Sequence, residues 1–269
     1  MILWLDGLHD PGENMRRDAR LLAAAGAGAL GAPVLRLFGF DPPGITLGHA
    51  QDPARELDLE RCRRDGVPWA VRPTGGRAIF HAEEWTYSFA AARAGPWGSG
   101  TVADAYARLS ALIVRSLERL GLPAALAQGT RAPRAAGAGG RGVAPPCFAS
   151  TARHEIVLGG RKLVGSAQRR TAGAMLQQGS VLLGPGHLRL ADYLRLPEGE
   201  RGAARAALAA AAADAGAWIP PGSPLSRWAG ALREVLPAET RLVEGEAGVG
   251  LAAPAPAGEC RTSAETPLP

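Results

Sequence analysis

Two residues in the middle of the chain carry most of its chemical promise. Lys162 is the only lysine among the 30 basic residues of this 269-residue sequence; all the others are arginine. Arginine presents a wide planar fork that stays charged, whereas lysine presents a compact ammonium on a flexible stem. A sequence that uses arginine everywhere else and lysine once points to a position that needs the compact donor. Cys147 lies just upstream, directly after Pro145-Pro146. A thiol attacks as its thiolate, and a neighbouring cation lowers its pKa from the usual value of about 8.5. A cysteine beside a lysine suits nucleophilic acyl transfer: the sulfur attacks an acyl thioester and forms an acyl-enzyme. The ammonium would favour the thiolate and orient the carbonyl, and backbone N–H groups would hold the oxyanion.

The elements around these residues are legible from their spacing. His154 to Leu158 reads as a strand, Gly159-Gly160 as a two-residue turn and Arg161 to Arg169 as the return strand, a β-hairpin of the type that two glycines favour. Strict alternation places Lys162, Val164, Ser166 and Gln168 on one face, expected to face solvent or a cleft. Leu163, Gly165 and Ala167 fall on the other, expected to pack in the core. Met175 to Leu183 reads as a further strand pairing with this one. Residues 128–146 show no apolar period and are expected to form a mobile loop.

Upstream, Met1 to Leu5 reads as a first strand. Asp10 caps a helix from Pro11 to about Ala25, which places Asn14 and Asp18 one turn apart. Strands are expected at Pro33–Phe40, Ile45–Leu47, Trp69–Arg72, Ala78–His81 and Thr86–Phe89, and a short helix at Asp58–Asp65 with Cys62 packed inside it. Arg72-Pro73-Thr74-Gly75-Gly76-Arg77 forms a turn whose glycines let backbone approach a ligand. Thr101 and Asp104 begin an amphipathic helix with Tyr106, Leu109, Leu112, Ile113, Leu117 and Leu120 on its buried stripe. Later helices are expected near Leu188–Leu194, at Arg201–Ala215 and after Ser223-Pro224.

The composition narrows the function classes. A hydrophobic share of 46% fits a globular chain with a sizeable core. The length suits one large domain or two small ones; the expected organisation is one domain over residues 1–243, followed by a disordered tail over 244–269. Net charge is +5 and the pI is about 9.7. No dense basic run with interleaved aromatics appears, so nucleic acid is not expected as a partner. The three cysteines, Cys62, Cys147 and Cys260, show no zinc-type grouping, so no metal is expected, and their sparse odd count suits a reducing cytoplasm. No stretch reads as a membrane span or a signal peptide.

Several ordered segments resemble the biotin/lipoate A/B protein ligase family, in particular its LipM-type octanoyltransferases. They are ENMRRDARLL, PVLRLFGFDPPGITLGHAQ, VRPTGGRAIFHAEEWTYSF and the run from HEIVLGGRKLVGSAQRR to LQQGSVLL. The resemblance implies an α+β fold: a mixed, largely antiparallel sheet with flanking helices on one side. It implies Cys147 and Lys162 as catalytic residues. Arg72, Thr74, Gly75, Gly76, Arg77 and His81 then line the acyl pocket, together with Gly165, Ser166, Ala167 and Gln168. It further implies octanoyl-acyl carrier protein as donor, a lipoyl domain or the glycine cleavage H protein as acceptor, and no cofactor. Two positions depart from the family pattern: Ala82, where an aspartate is usual, and Gln178, where histidine is common. Two other readings stay open on this fold, an ATP-dependent lipoate–protein ligase and a non-catalytic lipoyl-domain-binding protein.

Overall fold

The computed structural model of the chain describes residues 1–127, 155–197, 199–251 and 261–263. The strands are β1 (Ile2–His9), β2 (Val34–Phe40), β3 (Gly44–Leu47), β4 (Trp69–Val71), β5 (Ile79–His81), β6 (Glu84–Ala92), β7 (Ala125–Leu126), β8 (Ile156–Leu158), β9 (Arg161–Arg170), β10 (Ala174–Leu182) and β11 (Arg241–Glu244). The helices are α1 (Pro11–Gly26), α2 (Pro53–Glu56), α3 (Leu59–Arg64), α4 (Val102–Arg119), α5 (Leu190–Tyr193), α6 (Arg201–Ala211) and α7 (Leu225–Val235). Among the described residues, one sheet holds eight strands in the order β11-β1-β2-β6-β10-β9-β8-β7, and a smaller sheet runs β4-β3-β5. β1 pairs in parallel with β2 and β11, and the rest of the large sheet is antiparallel. This is the expected α+β arrangement.

The helices begin where local chemistry dictates. Asp10 accepts from the Glu13 backbone N–H at the start of α1, with proline in the first turn. Thr101 and Asp104 close a reciprocal capping box on α4. Residues of opposite parity on β1 and β2 then bury against different layers. Leu3, Leu35 and Leu37 join Leu109, Leu112, Ile113, Leu117, Trp228 and Leu232 of α4 and α7. Ile2, Trp4 and Val34 join Leu21, Leu22 and Ala25 of α1. Helices therefore cover both faces of the large sheet, not one side, because period-2 alternation with both parities apolar leaves neither face suited to water.

Two boundaries differ from the sequence reading. α6 stops at Ala211 and the chain continues extended, with the Ala213 N–H donating to the Lys162 carbonyl and Ala215 and Ile219 buried in the core. The alanine-rich composition favours helix throughout, but docking these small side chains against β9 and β10 wins. Within residues 244–269, expected as a tail, the described part is placed. β11 ends at Glu244, Val249 is buried, and Thr262 forms a bridge to Ala70 of β4. Residues 128–146 lie outside the described residues.

A buried polar cluster ties α1 to the sheet. Arg36 of β2 has no exposed surface and lies between Asp6 and Asp18. It donates to Asp6 Oδ2 at 2.7 Å, to Asp18 Oδ1 at 2.8 Å and to Asn14 Oδ1 at 2.6 Å. Its guanidinium also sits 3.9 Å from the Phe38 ring centroid. Asn14 and Asp18, which the sequence offers either as a local pair on a helix face or, by the resemblance, as a segment beside the site, are both ligands of one buried cation. Removing one partner of such a group strands the others in low dielectric, at a cost of about 3–5 kcal/mol. Arg36→Met is expected to lower unfolding stability by about that amount. Urea melts read it, and a loss below about 1 kcal/mol would show that the cluster is dispensable.

Candidate active site

A cavity of about 200 Å³ opens between the two sheets, beside α1. Its walls come from Met15 of α1, Phe38 and Phe40 of β2, Thr46 of β3, Ile79 and His81 of β5, and residues of β6, β9 and β10. Lys162 and Glu155 lie on the same wall.

Lys162 reaches this wall through a β-bulge. Val157 pairs with Lys162 and Ile156 with Val164, so Leu163 is an extra residue in β9. The bulge reverses the alternation on one side of it. Leu163 and Val164 both enter the hydrophobic core. Gly165 and Ala167 lie opposite Ser180 and Gln178 of β10, whose side chains face α1 and β6 on the cavity side. Ser166 turns the other way and meets the Tyr87 hydroxyl at 3.0 Å. The expected faces are therefore exchanged: the small residues form the cavity floor, and Ser166 and Gln168 point towards the opposite layer. Strict alternation cannot anticipate a one-residue insertion in the register.

The hairpin turn is as expected. Gly159 and Gly160 have φ of 56° and 77°, the left-handed pair that a two-residue turn needs. Lys162 is 4% exposed, and its Nζ donates to Glu155 Oε1 at 2.7 Å. Glu155 was not singled out from the sequence, although a signal existed. It lies two residues before Val157, the partner of Lys162, and hence diagonally across the hairpin on the same face.

The turn after β4 is held from behind. Arg72 donates to the carbonyls of Thr46, Gly75 and Arg77 at 3.1, 2.8 and 2.7 Å. Gly76 has φ of 92° and its carbonyl packs so closely on Gly48 that a Cβ there would lie 2.0 Å away. Gly75 has no such requirement. Thr74 is fully buried and donates to Gln178 Oε1 at 2.5 Å, while Gln178 Nε2 donates to Asp18 Oδ2 at 2.6 Å. Gln178, a departure from the family pattern, thus links the turn to the Arg36 cluster. Arg72, Gly76, Arg77, His81, Gly165, Ser166 and Ala167 border the cavity. Thr74 and Gly75 support it from outside the lining. Gln168 pairs with Gln177 at 3.0 Å, away from it.

His81 stacks on Phe40 with ring centroids 4.0 Å apart. Its Nδ1 lies 2.7 Å from Glu84 Oε1 and its Nε2 2.6 Å from Thr46 Oγ1. A carboxylate only accepts, so Nδ1 donates to Glu84. Glu84 Oε1 also takes the hydroxyls of Thr86 and Ser180 at 2.5 and 2.9 Å. Glu84 is thus the carboxylate that holds His81, Thr86 and Ser180.

Of the three cysteines, Cys62 alone lies within the described residues; Cys147 and Cys260 lie outside them. Cys62 is buried, and desolvation, followed by Asp58 and Asp65, pushes its thiol up to about 12. It packs against the small sheet and is inert as a nucleophile. Among the described residues, no cluster of histidine, cysteine and carboxylate is arranged to hold a metal ion, and no helix is long and apolar enough to cross a membrane.

The lipoyl protein ligase A/B catalytic domain model matches residues 10–211. The octanoyltransferase LipM of Symbiobacterium thermophilum is 41% identical over 196 residues, covering 72% of this chain and 70% of that protein. Its counterpart from Kyrpidia tusciae is 39% identical over 184 residues, covering 68% of this chain but 66% of that protein. A bi-partite lipoate protein ligase from Thermoplasma acidophilum shares the fold, with a TM-score of 0.69 at 18% identity over 93% of this chain and 91% of that one.

Two outcomes follow from the site. With a thiol at about 12, Cys62 holds on the order of one thiolate in 10⁴ at pH 8. Maleimide labelling of the native protein is expected to leave Cys62 unmodified and to reach it only on unfolding. Because Lys162 is buried on Glu155, Lys162→Ala leaves a stranded carboxylate and is expected to lower stability by about 3–5 kcal/mol. The sequence reading, with Lys162 in an open cleft, implies no such loss, so thermal melts of the variant separate the two. The chain belongs to the lipoyl protein ligase A/B catalytic domain family.

Proposed function

We propose that this protein is an octanoyltransferase of protein lipoylation. It takes an octanoyl group from octanoyl-acyl carrier protein onto Cys147 as a thioester and passes it to a lysine of a lipoyl domain or the glycine cleavage H protein. The single observation that carries this reading is the cavity placement of Lys162, the one lysine of the chain, at 4% exposure. Met15, Phe38, Phe40 and Ile79 offer apolar walls for an alkyl chain, and Gly165 and Ala167 leave its floor free of bulky side chains. The relatives named octanoyltransferase support the same class of reaction.

In this reading the Cys147 thiolate adds to the donor thioester carbonyl and expels the carrier thiol. The acceptor amine then attacks the acyl-enzyme, an amide forms, and the Cys147 sulfur leaves and takes up a proton. In this reading Lys162 donates to the developing oxyanion, and loss of one such donor costs ~10²–10³ in turnover. The His81–Glu84 pair fixes the β5 wall, and Arg72 fixes the turn beside it.

Incubation with octanoyl-acyl carrier protein in the absence of ATP, followed by intact mass spectrometry, is expected to show a hydroxylamine-labile octanoyl adduct. Cys147→Ala abolishes it. An adduct that survives that substitution, or activity that strictly requires ATP, would sink the transferase reading. Lys162→Arg is expected to acylate almost as poorly as Lys162→Ala, because the planar fork does not fit a pocket shaped around an ammonium. Near-normal acylation by the arginine variant would remove the special role of Lys162. With a net charge of +5 and acidic protein substrates, added salt is expected to raise the apparent KM for both. Rates independent of salt would count against protein-borne substrates.

A further inference from the structure

Glu155 is a buried carboxylate with one oxygen in use. Its Oε1 takes the Lys162 ammonium at 2.7 Å, and the side chain is 6% exposed. Its Oε2 is fully shielded and meets no hydrogen-bond donor among the described residues. Buried polar atoms are nearly always paired, so an unpaired carboxylate oxygen on a cavity wall asks for a ligand that donates. A carboxylate has room for about four donors across its two oxygens. Among the described residues that line the cavity, Glu155 is the only carboxylate, whereas Lys162, Arg72 and Arg77 bring three cations.

This matters for the reaction proposed above, on which the inference rests. The acceptor nucleophile is itself a lysine, cationic in water, and it must enter a cavity already rich in positive charge. Like charges repel most strongly where water is thin. We infer that Glu155 is the receiving subsite for a lysine-type primary ammonium: Oε1 holds Lys162 and Oε2 takes the incoming cation. One anion between two ammonium groups keeps both in the cavity and sets the acceptor nitrogen beside the group that orients the carbonyl; the incoming ammonium gives one proton to Glu155 Oε2 to become the amine that attacks, and the second goes to the leaving Cys147 sulfur. A neutral nucleophile gains nothing from this arrangement.

The test compares a cationic and a neutral nucleophile on the full-length protein. Octanoyl-acyl carrier protein is supplied with a recombinant lipoyl domain and with hydroxylamine, which is uncharged at neutral pH. The amide on the domain lysine and the octanoyl hydroxamate are quantified together, each formed with release of one thiol. In Glu155→Gln an amide keeps an oxygen for Lys162 but removes the negative charge. The ratio of lysine product to hydroxamate is expected to fall at least tenfold, with the loss appearing in the apparent KM for the domain. A ratio unchanged within about twofold, whether both products fall or neither does, overturns the inference, because Glu155 would then act only on Lys162. If the glutamine variant does not melt cooperatively, Glu155→Asp gives the same reading: the carboxylate stays, its reach shortens, and the ratio falls or the inference fails. A wild-type protein that forms neither product removes the transfer reading and this inference together. A wild-type protein that forms both, with an unmoved ratio in the variant, removes the inference alone.

Discussion

The Arg36 guanidinium, wholly removed from water, is the constraint on which the rest of the site hangs. A buried cation persists only when its donors are matched, and here Asp6, Asp18 and Asn14 match them from three directions. The cluster draws on three parts of the chain: Asp6 of β1, Asn14 and Asp18 of α1, and Arg36 itself of β2. The cluster does not end there. Ser88 of β6 donates to Asp18 at 2.6 Å, and Gln178 of β10 carries the connection on to Thr74. A helix, four strands and the glycine turn beside the cavity are thereby referred to one charge. A shift of α1 would break several charge-assisted hydrogen bonds at once, which is why the cavity wall beside it has a defined position.

The opposite wall depends on register. A single extra residue in β9 turns Lys162 onto the cavity side while keeping Leu163 and Val164 in the core. Without the bulge, Lys162 would share the face of Ser166, which meets Tyr87 in the other layer. The same insertion lets Gly165 and Ala167 form an open floor. Position, burial and the companion carboxylate of Lys162 thus follow from one local departure from the ladder.

Arg72 and His81 show a common division of labour around the cavity. Both border it, and both spend their polar atoms on the protein: Arg72 on backbone carbonyls, His81 on Glu84 and Thr46. Their contribution is to hold the small sheet and the Gly76 turn against the large sheet. Substrate-facing surface is left mainly to apolar side chains, backbone and the Glu155–Lys162 pair.

Much of this was written locally. Caps at Asp10 and Thr101, the glycine hairpin at 159–160, the apolar stripe of α4 and the strand character of residues 34–40 depend on neighbours a few residues away, and periodicity alone exposes them. The uniqueness of Lys162 was likewise visible in composition, and the ordered motifs carried the family. What the sequence left open depends on long-range pairing. The face of Ser166 was decided by a bulge, the end of α6 by docking on β9, and the placement of β11 by a free edge of β1 far away in the chain. The meaning of Asn14, Asp18 and Gln178 was hidden for the same reason. Their common partner is a buried charge assembled from separate elements, and no local pattern reports the energy of a cation that only the finished fold removes from water.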